Sequence, residues 1–261
     1  MWPHPIFVIN LATSPDRSQA CAEQLTRLGL TPTFLEAVDG RTMSDAEIAA
    51  LVDETGRLKR APQPLTKGEV GCYLSHLAVL EKIVGEGIDQ ALVMEDDLLA
   101  GEALPAVLDA IATKVLPRYE MIKLGISEPQ TKPFTPILPL AAGAELVRHH
   151  NVVNSNLAYI ITKAGAARFL RYGRPIRYPV DVAMNRSWRH GLDILGVRPW
   201  PVLPNPAFAS TIGPDRFDNP ASPIGRRLER RARKAYDSLA KRLDVGARLK
   251  RDAAWREDQG K

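Results

Sequence analysis

A chain of 261 residues that is 45% apolar can bury a sizeable core, so disorder throughout is excluded and the length fits one large domain or two small ones. No apolar run approaches the roughly 20 residues that cross a bilayer, and the two cysteines, Cys21 and Cys72, make neither a disulfide framework nor a metal-type spacing. The net charge of +5 is uneven: Gly225 to Lys261 carries 13 Lys/Arg against 6 Asp/Glu, leaving 22 basic and 24 acidic residues elsewhere, so anionic partners belong to the tail.

Met1 to Pro5 lacks the basic and long apolar regions of a signal peptide, and a cytoplasmic chain is the expectation. Ile6 to Leu11, apolar and β-branched with little alternation, predicts a buried strand. Ser14 or Asp16 caps the helix that follows, which runs past Leu25 and Leu28 to Gly29. Thr33 to Val38 predicts a second strand, ending at Asp39-Gly40. Strand, helix and strand at this spacing make a right-handed parallel crossover. Ligands of such sheets sit at the carboxyl ends of strands, where Asn10, Arg17 and Asp39 fall.

Ser44 to Val52 predicts a short capped helix, and Arg57 to Pro64 a basic loop. Thr66 and Glu69 have capping-box spacing at the start of the longest helical segment. Its apolar residues Val70, Leu74, Leu77, Leu80, Ile83 and Val84 recur near 3.6 until Gly85-Glu86-Gly87. Ala91-Leu92-Val93-Met94 then reads as a strand that ends in Glu95-Asp96-Asp97 before apolar residues resume. Three adjacent carboxylates repel one another, and a divalent cation turns that repulsion into attraction while leaving positions for phosphate oxygens and water. An acidic solvent-facing turn is the alternative. One-residue spacing puts Glu95 and Asp97 on the same side of an extended chain.

Ala103 to Leu116 predicts a helix and Met121 to Gly125 a strand, followed by an irregular proline-rich excursion over residues 126 to 145. Asn156 to Ile161 predicts a strand that leads through Thr162 into a helix ending near Leu170. Tyr178 to Met184 is a turn into a short helix, Leu192 to Val197 a late strand, and Pro199 to Pro206 a proline-rich segment.

Val8-Ile9-Asn10-Leu11 with Asp16-Arg17, Ala37-Val38-Asp39-Gly40, Leu65 to His76 with its Gly-Glu-Val-Gly-Cys-Tyr-Leu-Ser-His run, the acidic triplet and Tyr178-Pro179-Val180-Asp181 together resemble glycosyltransferase family 25. The resemblance covers about residues 6 to 205. It implies an α/β, GT-A-like (Rossmann-like) mixed sheet flanked by helices, a UDP-sugar donor, and inverting transfer of a hexose, commonly galactose, to a glycan. It assigns Asp97 to the metal, with Mn²⁺ preferred and Mg²⁺ chemically permitted, and Asp96 or Glu95 to ribose or a bridging water, Glu95 being the second candidate metal ligand.

The donor-binding candidates are Asn10, Leu11, Arg17, Asp39, Gly68, Ser75, His76, Glu95 and Asp96. Arg17 offers a planar donor fork to phosphate or uracil, or else pairs with Glu36 or Asp39. Asp39 suits ribose hydroxyls or an ordinary turn. His76 either contacts diphosphate or orients a carboxylate. Gly68 and Gly71 either admit a phosphate to the helix start or serve packing. An inverting transfer needs a base within about 3 Å of the acceptor hydroxyl, and Asp181 is the candidate, with capping of the next helix as its alternative. Asn154 and Asn156 are candidate acceptor contacts.

Two units are expected: a transferase domain over 1–222 and a basic amphipathic helical tail over 223–261, with Leu228, Ala232, Ala235, Tyr236, Leu239 and Leu243 at helical spacing. Such a helix lies on anionic lipid or docks on the domain, and RNA binding is a weaker third reading. The expected function is galactosyl transfer to a lipopolysaccharide or lipooligosaccharide saccharide at the inner membrane's cytoplasmic face, without nucleic-acid partners. The rivals are a metal-dependent nucleotidyltransferase and a non-catalytic glycan- or nucleotide-binding module.

Overall fold

The first strand, Ile6–Asn10 (β1), pairs in parallel with Thr33–Glu36 (β2) on one side and Gln90–Glu95 (β3) on the other. The computed structural model describes residues 2–58, 64–114, 119–126, 133–208 and 224–259. Pro15–Arg27 (α1) makes the crossover between β1 and β2, starting on a proline at a helix position whose N–H has no partner to lose. A single 3₁₀ turn (Gly40–Thr42) and two short helices, Asp45–Leu51 (α2) and Glu54–Leu58 (α3), lead to Lys67–Gly85 (α4). The caps predicted at α2 and α4 form, Ser44 with Glu47 and Thr66 with Glu69, each pair exchanging side-chain and backbone hydrogen bonds, whereas Ser14 takes the N-cap position of α1 without a side-chain cap hydrogen bond and Asp16 lies inside that helix's first turn.

Beyond β3 the direction changes. Ala158–Thr162 (β8) runs antiparallel to both β3 and Met121–Gly125 (β5), and Ile194–Arg198 (β9) pairs with β5 in parallel. The order across the sheet is β2-β1-β3-β8-β5-β9-β7-β6, where β6 is Phe134–Pro139 and β7 is Glu145–His149. Val202–Pro204 (β10) pairs with β5 and with Leu98–Ala100 (β4). Leu104–Lys114 (α5), Lys163–Tyr172 (α6), Val180–Met184 (α7), Ser187–His190 (α8) and Ile224–Gln259 (α9) complete the described elements. This is the mixed, helix-flanked α/β sheet that the sequence predicts.

Side chains alternate between the two faces of the central strands. Val8, Leu92 and Met94 enter a core layer with Leu25 of α1 and Val107 and Ile111 of α5. Phe7, Ala91 and Val93 enter the opposite layer with Val70 and Leu80 of α4 and Phe169 of α6. Each large aliphatic side chain buried there contributes roughly 1.5–3 kcal/mol, which fixes the strand ends where polar residues collect.

Two expectations are corrected. The excursion over 126 to 145 contains β6 and the start of β7, with residues 127–132 outside the described part. Pro136 and Pro139 are tolerated in β6 because it ends the sheet and needs donors on one side only. The proline-rich segment after Pro199 contains β10. Most of the loop at 57 to 64 lies outside the described residues, as does the expected boundary between 222 and 223.

The tail forms α9, and it docks. Arg148 of β7 pairs with Asp252 at 2.8 Å and with Asp193 at 2.7 Å, while Arg248 pairs with Asp193 at 2.7 Å and with Asp244 at 2.9 Å. Arg251 also reaches Asp193, and Arg186 reaches Asp237 at 2.5 Å. Charges, with Trp255 at the far end, thus fasten the helix. The apolar stripe faces outward, with Tyr236, Leu239 and Leu243 respectively 61%, 59% and 66% exposed.

Candidate active site

Parallel register sets the site. Ile9 of β1 lies opposite Glu95 of β3, so Asn10, the last residue of β1, and Asp96, the first after β3, emerge side by side. Asn10 Nδ2 donates to Asp96 Oδ2 at 2.6 Å and to the Ser14 carbonyl at 3.2 Å. Arg17, one turn into α1, donates through its two terminal nitrogens to Asp96 Oδ1 at 3.0 Å and Asp97 Oδ2 at 3.1 Å. The Phe208 ring stacks on the same guanidinium at 5.4 Å. The Asn205 N–H donates to the Asp97 carbonyl at 2.8 Å, tying the segment after β10 to this corner. The alternative for Arg17, a surface pairing with Glu36 or Asp39, gives way to this nearly buried contact with the acidic cluster.

The acidic triplet divides. The chain leaves the extended conformation after Glu95, so strand alternation does not govern Asp97. Asp96 and Asp97 share Arg17, whereas Glu95 Oε1 lies 3.3 Å from His76 Nε2 on α4. The other ring nitrogen, Nδ1, is 2.9 Å from the buried Tyr159 hydroxyl of β8. Burial, then the Glu95 charge, push the Asp97 carboxyl up to about 6 despite the opposing pull of Arg17. Burial likewise raises Asp96, against the Asn10 hydrogen bond and the Arg17 charge. Asp97 Oδ1 is buried and has no hydrogen-bond partner among the described residues. An orphaned carboxylate oxygen beside two further carboxylates fits a hard divalent cation, which takes oxygen ligands and compensates that desolvation.

The remaining predicted residues are spread more widely. Ser75 is buried, accepting from the Val38 N–H at 2.8 Å and donating to the Gly71 carbonyl at 2.8 Å, so it joins the end of β2 to α4. His76 is fully buried with both nitrogens engaged, an arrangement that orients the Glu95 carboxylate. Asp39 caps the 3₁₀ turn and holds the Arg41 guanidinium at 2.7–2.8 Å. Leu11 follows β1, its carbonyl accepting from Ser14 N–H. Gly68 lies in the first turn of α4, where an added Cβ would meet only the Thr66 hydroxyl, at 4.0 Å. Gly71 serves close packing, because a Cβ there would stand 2.5 Å from Gly40 N and Val38 O.

Asp181 is the second residue of α7, which has Pro179 and not Asp181 at its N-cap, and its Oδ1 accepts from the Val182 N–H at 2.8 Å. The helix that carries it packs against α4, the helix of Cys72 and His76. Asn154 is exposed, while Asn156 is buried with its amide N–H directed at Met184 Sδ, 3.1 Å away. Sequence reasoning missed Lys123, a buried lysine of β5 that donates to the Val153 and Ser155 carbonyls and holds the segment carrying both asparagines. A lysine inside an otherwise apolar strand is the signal that marks it. It also missed Tyr159 and Cys72.

A parallel β2-β1-β3 half that meets an antiparallel half at β8, with carboxylates at the carboxyl end of the junction strand, defines a GT-A-like α/β protein. Within that class, the chain belongs to glycosyltransferase family 25 (LPS biosynthesis protein), whose model matches residues 3–184. It is 31% identical over 189 residues to the probable inactive glycosyltransferase 25 family member 3 of Bos taurus, covering 67% of this chain and 30% of that protein. Procollagen galactosyltransferase 1 of Danio rerio is 28% identical over 195 residues, with the same coverage of 67% and 30%. The chain thus spans about a third of the length of the curated relatives it matches. Among solved structures, a glycosyltransferase involved in glycosylation of the major capsid of PBCV-1 aligns over 65% of this chain and 62% of its own, at 8% identity and a TM-score of 0.35.

Proposed function

We propose that the chain is an inverting glycosyltransferase that moves a hexose, galactose by its family, from a UDP-sugar to a saccharide of lipopolysaccharide or lipooligosaccharide. One observation carries this reading: Asn10 and Arg17 converge on an acidic corner in which Asp97 keeps a buried, unpartnered oxygen. Asp97, with Glu95 as second ligand, would hold Mn²⁺ or Mg²⁺. A cation there supplies Lewis-acid stabilisation of the departing diphosphate, worth several kcal/mol.

The chain's own residues do the rest. His76 fixes the Glu95 carboxylate, and Tyr159 fixes the His76 ring. Asp96, locked by Asn10 and Arg17, faces the ribose, and Arg17 turns part of its fork to phosphate as the donor enters. Asp39 and Leu11 border the nucleoside, and Asn154 and Asn156 border the sugars. Asp181 takes the proton of the acceptor hydroxyl as that oxygen bonds to the anomeric carbon. The bond from that carbon to the diphosphate oxygen breaks on the opposite side, releasing UDP. General-base help of this kind contributes about 10²–10⁴-fold.

The docked tail supports a membrane-side acceptor. Tyr236, Leu239 and Leu243 share an outward face at spacings of three and four, with exposed Arg231, Lys234 and Arg242 on the same helix. No helix among the described residues is long and apolar enough to cross a membrane. A non-catalytic module is the second reading, favoured by the printed description of the Bos taurus relative as probable inactive.

Screening UDP- and GDP-sugars for Mn²⁺-dependent hydrolysis without acceptor separates these readings. Slow hydrolysis of one UDP-hexose is expected, as is loss of transfer with retained UDP binding in Asp181→Asn. Binding without turnover of any sugar nucleotide, under every metal tried, would establish the module instead. Consumption of a nucleoside triphosphate with pyrophosphate release would establish the nucleotidyltransferase.

A further inference from the structure

Cys72 and His76 stand four residues apart on α4, one turn from each other on a single face. Glu95 reaches the same point from the end of β3. The Cys72 Sγ, a His76 ring nitrogen and a Glu95 carboxylate oxygen all lie within 4.8 Å of one another. Thiolate, imidazole and carboxylate are the donor set of a borderline-soft dication, and three protein ligands with one position open is the pattern of an accessible zinc site. Zinc bonds of about 2.0–2.3 Å in a tetrahedron separate neighbouring ligand atoms by roughly 3.3–3.8 Å. The His76 Nε2 to Glu95 Oε1 distance is already 3.3 Å, and the thiol lies within 4.8 Å of both side chains.

The surroundings match. His76 Nδ1 faces the Tyr159 hydroxyl at 2.9 Å, and that hydroxyl both donates and accepts. Without metal, His76 Nε2–H donates to Glu95 and Nδ1 accepts from Tyr159. With metal, the proton sits on Nδ1 and is donated to Tyr159, leaving the Nε2 lone pair for the ion. Outer partners of this kind orient metal-bound histidines.

We propose that Cys72, His76 and Glu95 form a Zn²⁺ site, separate in ligand chemistry from the all-oxygen seat at Asp97. Binding itself does not rest on the catalytic reading, although Glu95 is shared with it.

The test uses the full chain. Titration with Co²⁺ as a spectroscopic substitute should give a thiolate-to-cobalt charge-transfer band, displaced by Zn²⁺. Cys72→Ser should abolish the band and weaken Zn²⁺ by at least about 100-fold, more than loss of an outer partner. Cys21 is fully buried in the opposite core layer, so the band reports Cys72. A cobalt spectrum of the parent without that band, or equal Zn²⁺ affinity in Cys72→Ser, overturns the site. Mn²⁺-dependent turnover in a protein without the band leaves the catalytic reading standing and removes this one. The band in a protein that turns over no sugar nucleotide does the reverse.

Discussion

Replacing Arg17 by Met keeps most of the apolar stem and removes only the guanidinium. That group is nearly buried and bridges Asp96 at 3.0 Å and Asp97 at 3.1 Å, so its loss strands two carboxylates in a low-dielectric corner. Removing one partner of a buried pair costs about 3–5 kcal/mol, on the order of 10 °C in Tm for a chain of this size. The cost should depend on pH. Asp97 titrates at about 6 in the folded chain, above its unfolded value of 3.8, because burial and Glu95 outweigh Arg17. The folded state therefore binds more protons than the unfolded state between those values, and stability falls as pH rises through that window. Without Arg17 both carboxyls move further up, so the variant loses more stability than the parent at pH 8 and recovers much of the difference near pH 5. Urea denaturation of both proteins across pH 5 to 8 measures this, and other titrating groups drop out of the difference. Mn²⁺ at about 100 times its Kd should return about 2.7 kcal/mol to the variant. A penalty below about 1 kcal/mol, or one constant with pH, would refute the reasoning.

The docking of α9 predicts that Asp193→Ala, which leaves Arg148, Arg248 and Arg251 without their shared carboxylate, lowers stability by about 3–5 kcal/mol and exposes the tail to protease; unchanged Tm and digestion would mean the helix is loosely held. Gly71→Ala places a methyl 2.5 Å from Gly40 N and Val38 O, and should destabilise by about 1–3 kcal/mol in thermal melts, with no dependence on added UDP. His190 accepts from the Leu192 N–H at 3.1 Å and is lowered from 6.5 to about 4, by burial first and then by the charges of Arg248 and Arg186. The unfolded chain binds the extra proton in that window, so the His190 contribution is lost as pH falls from 6.5 towards 4, and His190→Gln should flatten that part of a stability-against-pH curve.

The local rules written into short stretches were legible in the sequence. Ser44 with Glu47 and Thr66 with Glu69 announce helix starts, and the β-branched run at Ile6 and the abrupt acids after Met94 mark two central strands. The rule that ligands sit at strand carboxyl ends then places Asn10, Arg17 and Asp39 at one end of the sheet before any coordinate is known, whereas the pairing of β1 with β3 that brings Asn10 to Asp96 was not legible. Strands whose identity depends on their position in the sheet were not legible. β6 carries Pro136 and Pro139 and survives only as the last strand, while β4 and β10 are three residues each. The tail inverted the usual inference from an apolar stripe. Asp237, Asp244 and Asp252, spaced seven and eight apart, mark its docking face, and the surplus of arginine and lysine hid them. Within the site, the acidic triplet and Arg17 were readable as chemistry. The division of the triplet between Arg17 and His76 was not, because it depends on a bend after Glu95 and on which turn of α4 lies beside β3.

Calorimetric titration of Mn²⁺ into the chain saturated with UDP, beside the same titration of Asp97→Asn, tests the acidic corner most directly. The account predicts one high-affinity ion per parent chain and an affinity at least about tenfold weaker in the variant. Equal binding by both proteins, or no uptake by the parent, would contradict it.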